Sequence, residues 1–578
     1  MKANSEKTKQ RNKATRRVLA SVLCGASVLS LVLSLVMPPI SQAIANDAQT
    51  VSAEPTVAGE STLGEEAGAD NSTGKDAENR NSDDAEGDET SGDAATVGLP
   101  SDDAGAKSAE QPADDGANDE NDVVPTAADG FTELDQNNIK DQFGKDGTPG
   151  SYRLAGDLEY ADTITLNHGE TVIDLNGHKI THTSDNRSLF NITGGATLTV
   201  MDSQQATVDD PIASNFECSD STLSKNANLA SVVYKTPKIP DKLIYYVTGS
   251  FVNVDGTSTT EALYRHEVTI GGAIVACNSS NRVNLINLYS TNDEGGTFNL
   301  QSGVLTQEEN CNVAHLIYAE NGSTVNMSGG YVCGASMGSS GAGAGIAVCD
   351  NSTLEISDGV IAGNYAPSGG GVYALNSAVD MVGGIISGNG TNNYESGYGA
   401  GICAENSRVT ITNGYITNNK YQFYTDEGHK GNGCHGGGGI AAFSHDPGQK
   451  RGSLVINGGY ITGNYSAEAG GGVYAGAWNK PLSGFTFSGG TIASNVAEKS
   501  EGGGIRISAP TESVFNVPIG TKAYITNNKT NTDNDWGGGG VFVQGGDDGG
   551  VQPASLKIYN ALITKNLDRK SVGRERVF

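Results

Sequence analysis

Over most of the chain, short runs of apolar and polar residues alternate with period two, as in Leu354-Glu355-Ile356, Val379-Asp380-Met381, Val409-Thr410-Ile411 and Phe485-Thr486-Phe487. That period sends successive side chains to opposite faces of an extended chain and predicts strands rather than helical turns. The runs recur as one unit: apolar-x-apolar, then Gly-x-Ile, then Asn, a variable loop, and Gly-Gly-Gly with Ile or Val. The asparagines are Asn364, Asn389, Asn419, Asn464, Asn495, Asn528 and Asn566, spaced by 25, 30, 45, 31, 33 and 38 residues. Self-similarity at this period marks a solenoid. Three short strands per unit, separated by glycine turns, make one coil of an all-β, right-handed parallel β-helix. A single coil has one apolar face and no partner for it, so stacking supplies the core.

The same grammar opens more loosely at Thr171–Ile180, Leu189–Ile192 and Leu198–Val200. Just before these runs, Phe131, Leu134, Ile139 and Phe143 stand at near-helical spacing, which predicts a short N-terminal helix plugging the open end of the core. Residues 204–267 interrupt the repeat and read as an excursion from the stack. At one corner Asn321, Asn351, Asn376 and Asn406 recur at spacings of 30, 25 and 30, which predicts an asparagine ladder bonded from coil to coil.

Two stretches carry a resemblance. Ile461-Thr462-Gly463-Asn464 followed by Gly470-Gly471-Gly472-Val473, and Ile492-Ala493-Ser494-Asn495 followed by Gly502-Gly503-Gly504-Ile505, resemble the FxxN and GGAI repeats of chlamydial polymorphic membrane proteins, with Ile in place of Phe. More broadly, residues 150–566 are similar to right-handed parallel β-helix surface proteins of the pectin-lyase-like superfamily. The resemblance implies that fold, which adhesins, phage tailspikes and polysaccharide-degrading enzymes share, and so implies no single function.

Composition and charge set the compartment. Of 578 residues 79 are glycine, about twice the ordinary ~7%. The net charge is −30, from 67 acidic and 37 basic side chains. That field repels phosphate and no long basic face offsets it, so a nucleic-acid partner is excluded. Lys2, Lys7, Lys9, Arg11, Lys13, Arg16 and Arg17 precede the apolar run Val18–Met37 and the small-residue site Ala43-Ile44-Ala45. Residues 1–45 therefore read as a secretory signal cleaved after Ala45, or alternatively as an uncleaved anchor, and they are the only segment expected to meet a membrane. From Asp47 to Asp122 there are 22 acidic residues against Lys75, Arg80 and Lys107, with no aromatic residue. Residues 46–128 are accordingly expected to be a disordered acidic linker. The β-helix is expected over 129–566. Residues 567–578 form a basic tail unlike the rest; from Asp568 onward it looks like translated adaptor sequence, which suggests a truncated C-terminus.

Three sets of residues carry candidate chemistry. Glu355 and Asp380 occupy equivalent outward positions in successive copies, which predicts carboxylates about 5 Å apart, the weak starting point for a catalytic pair; solvated surface acids are the plainer reading. His429, Cys434, His435, His445 and Asp446 gather in the longest coil without the spacing of a tight zinc site, so they are a weak metal set or simply a decorated loop. The outward position of the Gly-x-Ile strand is Tyr331, Tyr415, Tyr460 or Tyr524 in four copies. In the Gly-Gly-Gly strand it is Tyr318, Tyr373, Tyr474 or Phe542. Both predict exposed aromatic files suited to stacking on sugar rings or a protein partner, although packing of rings on coil neighbours accounts for them too. No cofactor is implied. Seven cysteines remain after the signal, and either a Cys403–Cys434 pair or buried thiols would be consistent with them. The functional expectation is a secreted or cell-surface adhesin binding glycans or proteins. A polysaccharide lyase or glycoside hydrolase on the same fold is the alternative, and a structural envelope protein the third.

Overall fold

The computed structural model describes residues 130–568, less short internal stretches of which the longest are 217–241 and 423–434. The expected signal segment, the acidic linker, residues 569–578, Cys218, His429 and Cys434 lie outside the described residues.

The repeat is a right-handed parallel β-helix. From Thr353 onward each full coil visits four parallel sheets in the order A, B, D, C, and the full coils before it visit A, B and C. One example is Thr353–Ile356 in A, Val360–Ala362 in B, Tyr365–Ala366 in D and Val372–Leu375 in C, before Ala378–Met381 returns to A. Among the described residues sheets A, B, C and D hold 13, 12, 11 and 7 strands. Sheet D is a fourth strand position that the apolar pattern did not announce, because two-residue strands such as Tyr365–Ala366 are too short to alternate. Register is unslipped from coil to coil: Leu354 pairs with Val379, Val379 with Val409 and Val409 with Leu454. These residues point inward and are fully buried, so the core is a set of vertical apolar stacks.

The buried asparagines explain why Asn and Gly-Gly-Gly travel together in the repeat. Asn389 Nδ2 donates to Ile361 O at 2.9 Å and to Asn419 Oδ1 at 3.0 Å, and the Asn389 backbone N–H donates to that same Oδ1 at 3.0 Å. The pattern repeats without a break from Asn364 to Asn566. Each interior amide thus spends both protons and both lone pairs, which is what makes burying it tolerable. The third glycine of each triplet packs on this ladder. A Cβ on Gly472 would lie 2.7 Å from Gly504 O and 2.9 Å from Asn495 Nδ2, so no larger residue fits there.

At the N-terminal end the expectation of a cap holds in modified form. Thr132–Leu134 is the first strand of sheet A, and the helix is confined to Ile139–Phe143. Asp135 Oδ1 receives the N–H groups of Asn137 and Asn138 at 2.8 and 2.9 Å, which starts that helix. Leu134, Ile139 and Phe143 are buried, whereas Phe131 lies outside under the Arg153 guanidinium, 4.5 Å away. At the other end Leu567–Asp568 still pairs with Lys529–Thr530, so the stack runs two residues past the expected boundary at 566.

The excursion after residue 204 is a small antiparallel sheet. Its long hairpin joins Lys242–Val252 to Thr259–Thr269. Leu243, Tyr245, Val247 and Val268 of this hairpin share an apolar cluster with the outer side chains of sheet B, including Val304, Tyr331, Val360, Ile385 and Tyr415. Thr248 pins it: its N–H donates to Thr417 Oγ1 at 3.1 Å, its hydroxyl donates to Asn418 Oδ1 at 2.9 Å, and its carbonyl accepts from Thr462 Oγ1 at 2.5 Å.

Candidate functional site

The corner between sheets C and A is built from a turn that each coil repeats. Asp350, Asn351, Asn376 and Asn406 all take left-handed backbone conformations, with φ of 49°, 66°, 52° and 52°. Short polar residues tolerate that region best. The serine that follows caps the turn: the Ser377 N–H donates to Ser407 Oγ at 3.0 Å, and Ser407 Oγ donates to Glu405 O at 2.8 Å. The expected outer ladder is present over part of its length and shifted by one residue at its start. Asn406 Nδ2 donates to Asn376 Oδ1 at 3.0 Å, and Asn376 Nδ2 donates to Asp350 Oδ1, not to Asn351, at 3.1 Å. Unlike the interior ladder, this one faces solvent.

A groove of about 650 Å³ runs along this corner. Its floor is Asn351, Ser352, Asn376, Ser377 and Asn406, and its rim carries Arg408, Lys450, Arg451 and Ser483. Lys450-Arg451 is the one adjacent pair of basic residues between Gly130 and Asp568. The loop that presents it is anchored by the Gly448 N–H, which donates to Asn479 O at 2.6 Å, and passes through positive φ at Gly448 and Gly452.

Glu355 and Asp380 are register partners on adjacent strands, as expected. The catalytic use of the pair is weakened by a neighbour that the sequence reading did not weigh. Arg408 grips both Asp380 oxygens, with Nη2 to Oδ2 at 2.6 Å and Nη1 to Oδ1, and its Nη1 also donates to Thr410 Oγ1 at 2.9 Å. The Asp380 carboxylate beside it holds the Arg408 guanidinium above its ordinary pKa. Asp380 is thus held as one half of an ion pair.

A second network adjoins the groove through Asn406. Glu405 is buried on the outer side of sheet C, accepts the Tyr373 hydroxyl at 2.8 Å on Oε1 and meets His445 Nδ1 at 2.6 Å on Oε2. The His445 N–H donates to Asn406 Oδ1 at 2.8 Å, which ties the histidine to the outer ladder. The hydrogen bond to Glu405 raises the His445 pKa above the usual imidazole value. His445 is half-exposed, so this network presents a titratable group to solvent next to Asn406.

The proposed metal set does not assemble among the described residues. His435 is 3% exposed and packs against the Tyr398 ring 5.0 Å away; burial pushes its pKa down to about 4 and keeps it neutral. His445 is turned to Glu405, and Asp446 faces Arg451 at 3.9 Å. Among the described residues no group of three His, Cys, Asp or Glu side chains is placed to hold a metal ion. Cys403 is buried between Tyr373 and Ala441 in the outer file of sheet C. The Cys403–Cys434 pair falls partly outside the described residues.

The aromatic files exist as registers, but the expectation that they are exposed is corrected. Tyr331 and Tyr415 are 3% exposed because the hairpin lies over them, and Tyr373 and Tyr474 are fully buried on the outer side of sheet C. Tyr460 is stacked on Tyr415 at 4.7 Å and half-buried, as are Tyr318, Tyr524 and Phe542. Between Tyr474 and Phe542 the file is continued by Arg506, whose guanidinium lies 4.9 Å from the Tyr474 centroid and donates to Glu501 at 3.1 Å. The packing reading therefore governs the buried rings. Alternation alone could not show which outer face a distant insertion covers.

The residues that sequence reasoning passed over are Glu405, Arg408, Lys450 and Arg451. The recurring Asn-Ser dipeptides at 351, 376 and 406, read beside the lone basic pair, were the available signal. No family model, curated protein or solved structure matches the chain.

Proposed function

We propose that this chain is a secreted or surface-displayed β-helix adhesin that binds glycans or proteins, with the corner groove as its contact site. The observation that carries this reading is the groove itself: a row of solvent-facing asparagine amides over buried serines, set on a rigid stack, with three cations along its rim. Hydroxyl-rich ligands are recognised by such convergent polar groups on pre-organised elements. The resemblance to pectin-lyase-like and chlamydial surface repeats, the basic-apolar leader and the acidic spacer support export and display. The buried tyrosines leave the role first expected of them, and the groove takes it over.

The test is a glycan array together with a cell-adhesion assay on the mature chain. Binding that survives Glu355→Ala, and is lost on replacing groove residues, supports the adhesin. Release of reducing ends or unsaturated uronides from polysaccharides would favour the enzymatic alternative, for which the Glu405–His445 pair beside the groove is the group to replace first.

A further inference from the structure

Three features of the groove bear on the kind of ligand it takes. The first is charge placement. In a chain of net charge −30, the one adjacent Lys-Arg pair between Gly130 and Asp568 projects over one polar groove. The second is how those cations are engaged. Arg408 is locked by two bonds to Asp380 and acts as a wall. Arg451 is half-exposed, with Asp446 at 3.9 Å, and Lys450 reaches Glu512 at 2.5 Å with both side chains open to solvent. Exposed pairs of this kind contribute about 0–1 kcal/mol, so an incoming anion displaces Asp446 and Glu512 at little cost. The third is periodicity. Successive rungs present Asn351, Asn376 and Asn406 at the ladder spacing of about 4.8 Å, comparable to the length of one pyranose unit in an extended chain. A row of amides at that repeat can address one sugar after another.

We infer that the groove binds a linear acidic saccharide, its carboxylate or sulfate groups on Lys450 and Arg451 and its hydroxyls on the amides of Asn376 and Asn406. This rests on the adhesin reading and narrows its ligand class. Charge-assisted bonds to the anionic group supply most of the discrimination against neutral sugars, and the Asn rungs fix the direction of the chain.

The experiment is titration calorimetry of the mature chain with a hyaluronan octasaccharide, a heparin octasaccharide and, as the neutral probe, a chitin oligosaccharide of similar length. At least one anionic probe is expected to bind roughly tenfold or more tighter than the neutral one, the factor a single well-placed charge-assisted contact supports. Lys450→Ala with Arg451→Ala should remove that preference, while Lys140→Ala, at the far end of the stack, leaves it unchanged. Circular dichroism on each variant checks that the fold is kept; Lys450→Gln with Arg451→Gln provides a second, bulk-preserving test. Equal binding of neutral and anionic probes, or anionic binding indifferent to both double variants, overturns the acidic-saccharide assignment and leaves the adhesin reading standing. Failure of every probe, together with cell adhesion unaffected by the groove variants, overturns both.

Discussion

The molecule carries two asparagine ladders, and setting them side by side separates what an amide does for the fold from what it can do for a ligand. The interior ladder is buried from Asn364 to Asn528, and its amides from Asn389 to Asn528 use both protons and both lone pairs within the stack. The corner ladder, through Asp350, Asn376 and Asn406, is open to water, and each of its amides makes one bond to the coil before it. Same residue, similar spacing, opposite surroundings: burial makes the first indispensable, and exposure leaves the second free to exchange water for a ligand.

The sharpest way to break this contrast is Asn419→Leu. It removes the bonds that Asn389 makes to the Asn419 carbonyl oxygen and strands Ile386 O without its donor. Each buried group left unpaired costs about 1–3 kcal/mol, so denaturant unfolding should show a loss of at least about 3 kcal/mol. A loss below ~1 kcal/mol would mean that the interior ladder is not needed. The next largest effect comes from a histidine that shares the interior condition. His266 in the hairpin is buried, stacked on Tyr245 at 4.7 Å, with neither ring nitrogen hydrogen-bonded, and burial lowers its pKa to about 4. The unfolded segment takes up a proton near ~6.5 while the docked hairpin resists it, so docking is fully favourable above ~6.5 and weakens as pH falls toward 4, by up to about 3 kcal/mol. Hydrogen-exchange protection factors, with the intrinsic pH dependence removed, should fall in acid across Lys242–Val252 and Thr259–Thr269, and His266→Phe should abolish the trend.

At the corner the expected effects shrink. Asn376→Gly keeps the left-handed turn and removes only solvent-facing bonds, so the melting midpoint should move by no more than corresponds to a few tenths of a kcal/mol. A shift as large as that of Asn419→Leu would erase the distinction between the ladders. The smallest effect belongs to His445. Glu405 raises its pKa, so its stabilising contribution is complete below ~6.5 and lost as pH rises through the folded value, the opposite sign to His266. An NMR titration of its ring should show the raised value fall back in Glu405→Gln.

Much of the fold was legible because a solenoid writes its structure locally. Period-two alternation gave the strands, and the Gly and Asn landmarks gave the coils and a register that holds without a slip. What stayed illegible depended on contacts remote in sequence. Thr248 meets Thr462 across 214 residues, and nothing at Tyr331 or Tyr415 announces that a hairpin begun at Lys242 will cover them. Glu355 and Asp380 were placed correctly, yet their chemistry turned on Arg408, 28 residues beyond Asp380. The groove escaped for a related reason: its floor comes from turns, which carry no hydrophobic period, and its rim from a loop.

Because each interior amide binds the coil on either side in the same way, the stack has translational symmetry, and the lengths between its asparagines range from 25 to 45 residues without disturbing it. A whole turn can therefore be duplicated or excised at equivalent points with the joints still matching, whereas a cut at any other phase strands an amide. Lineages of such a chain would change length in whole turns and concentrate novelty in the outward loops, much as a bound book gains or loses leaves while its stitching stays regular.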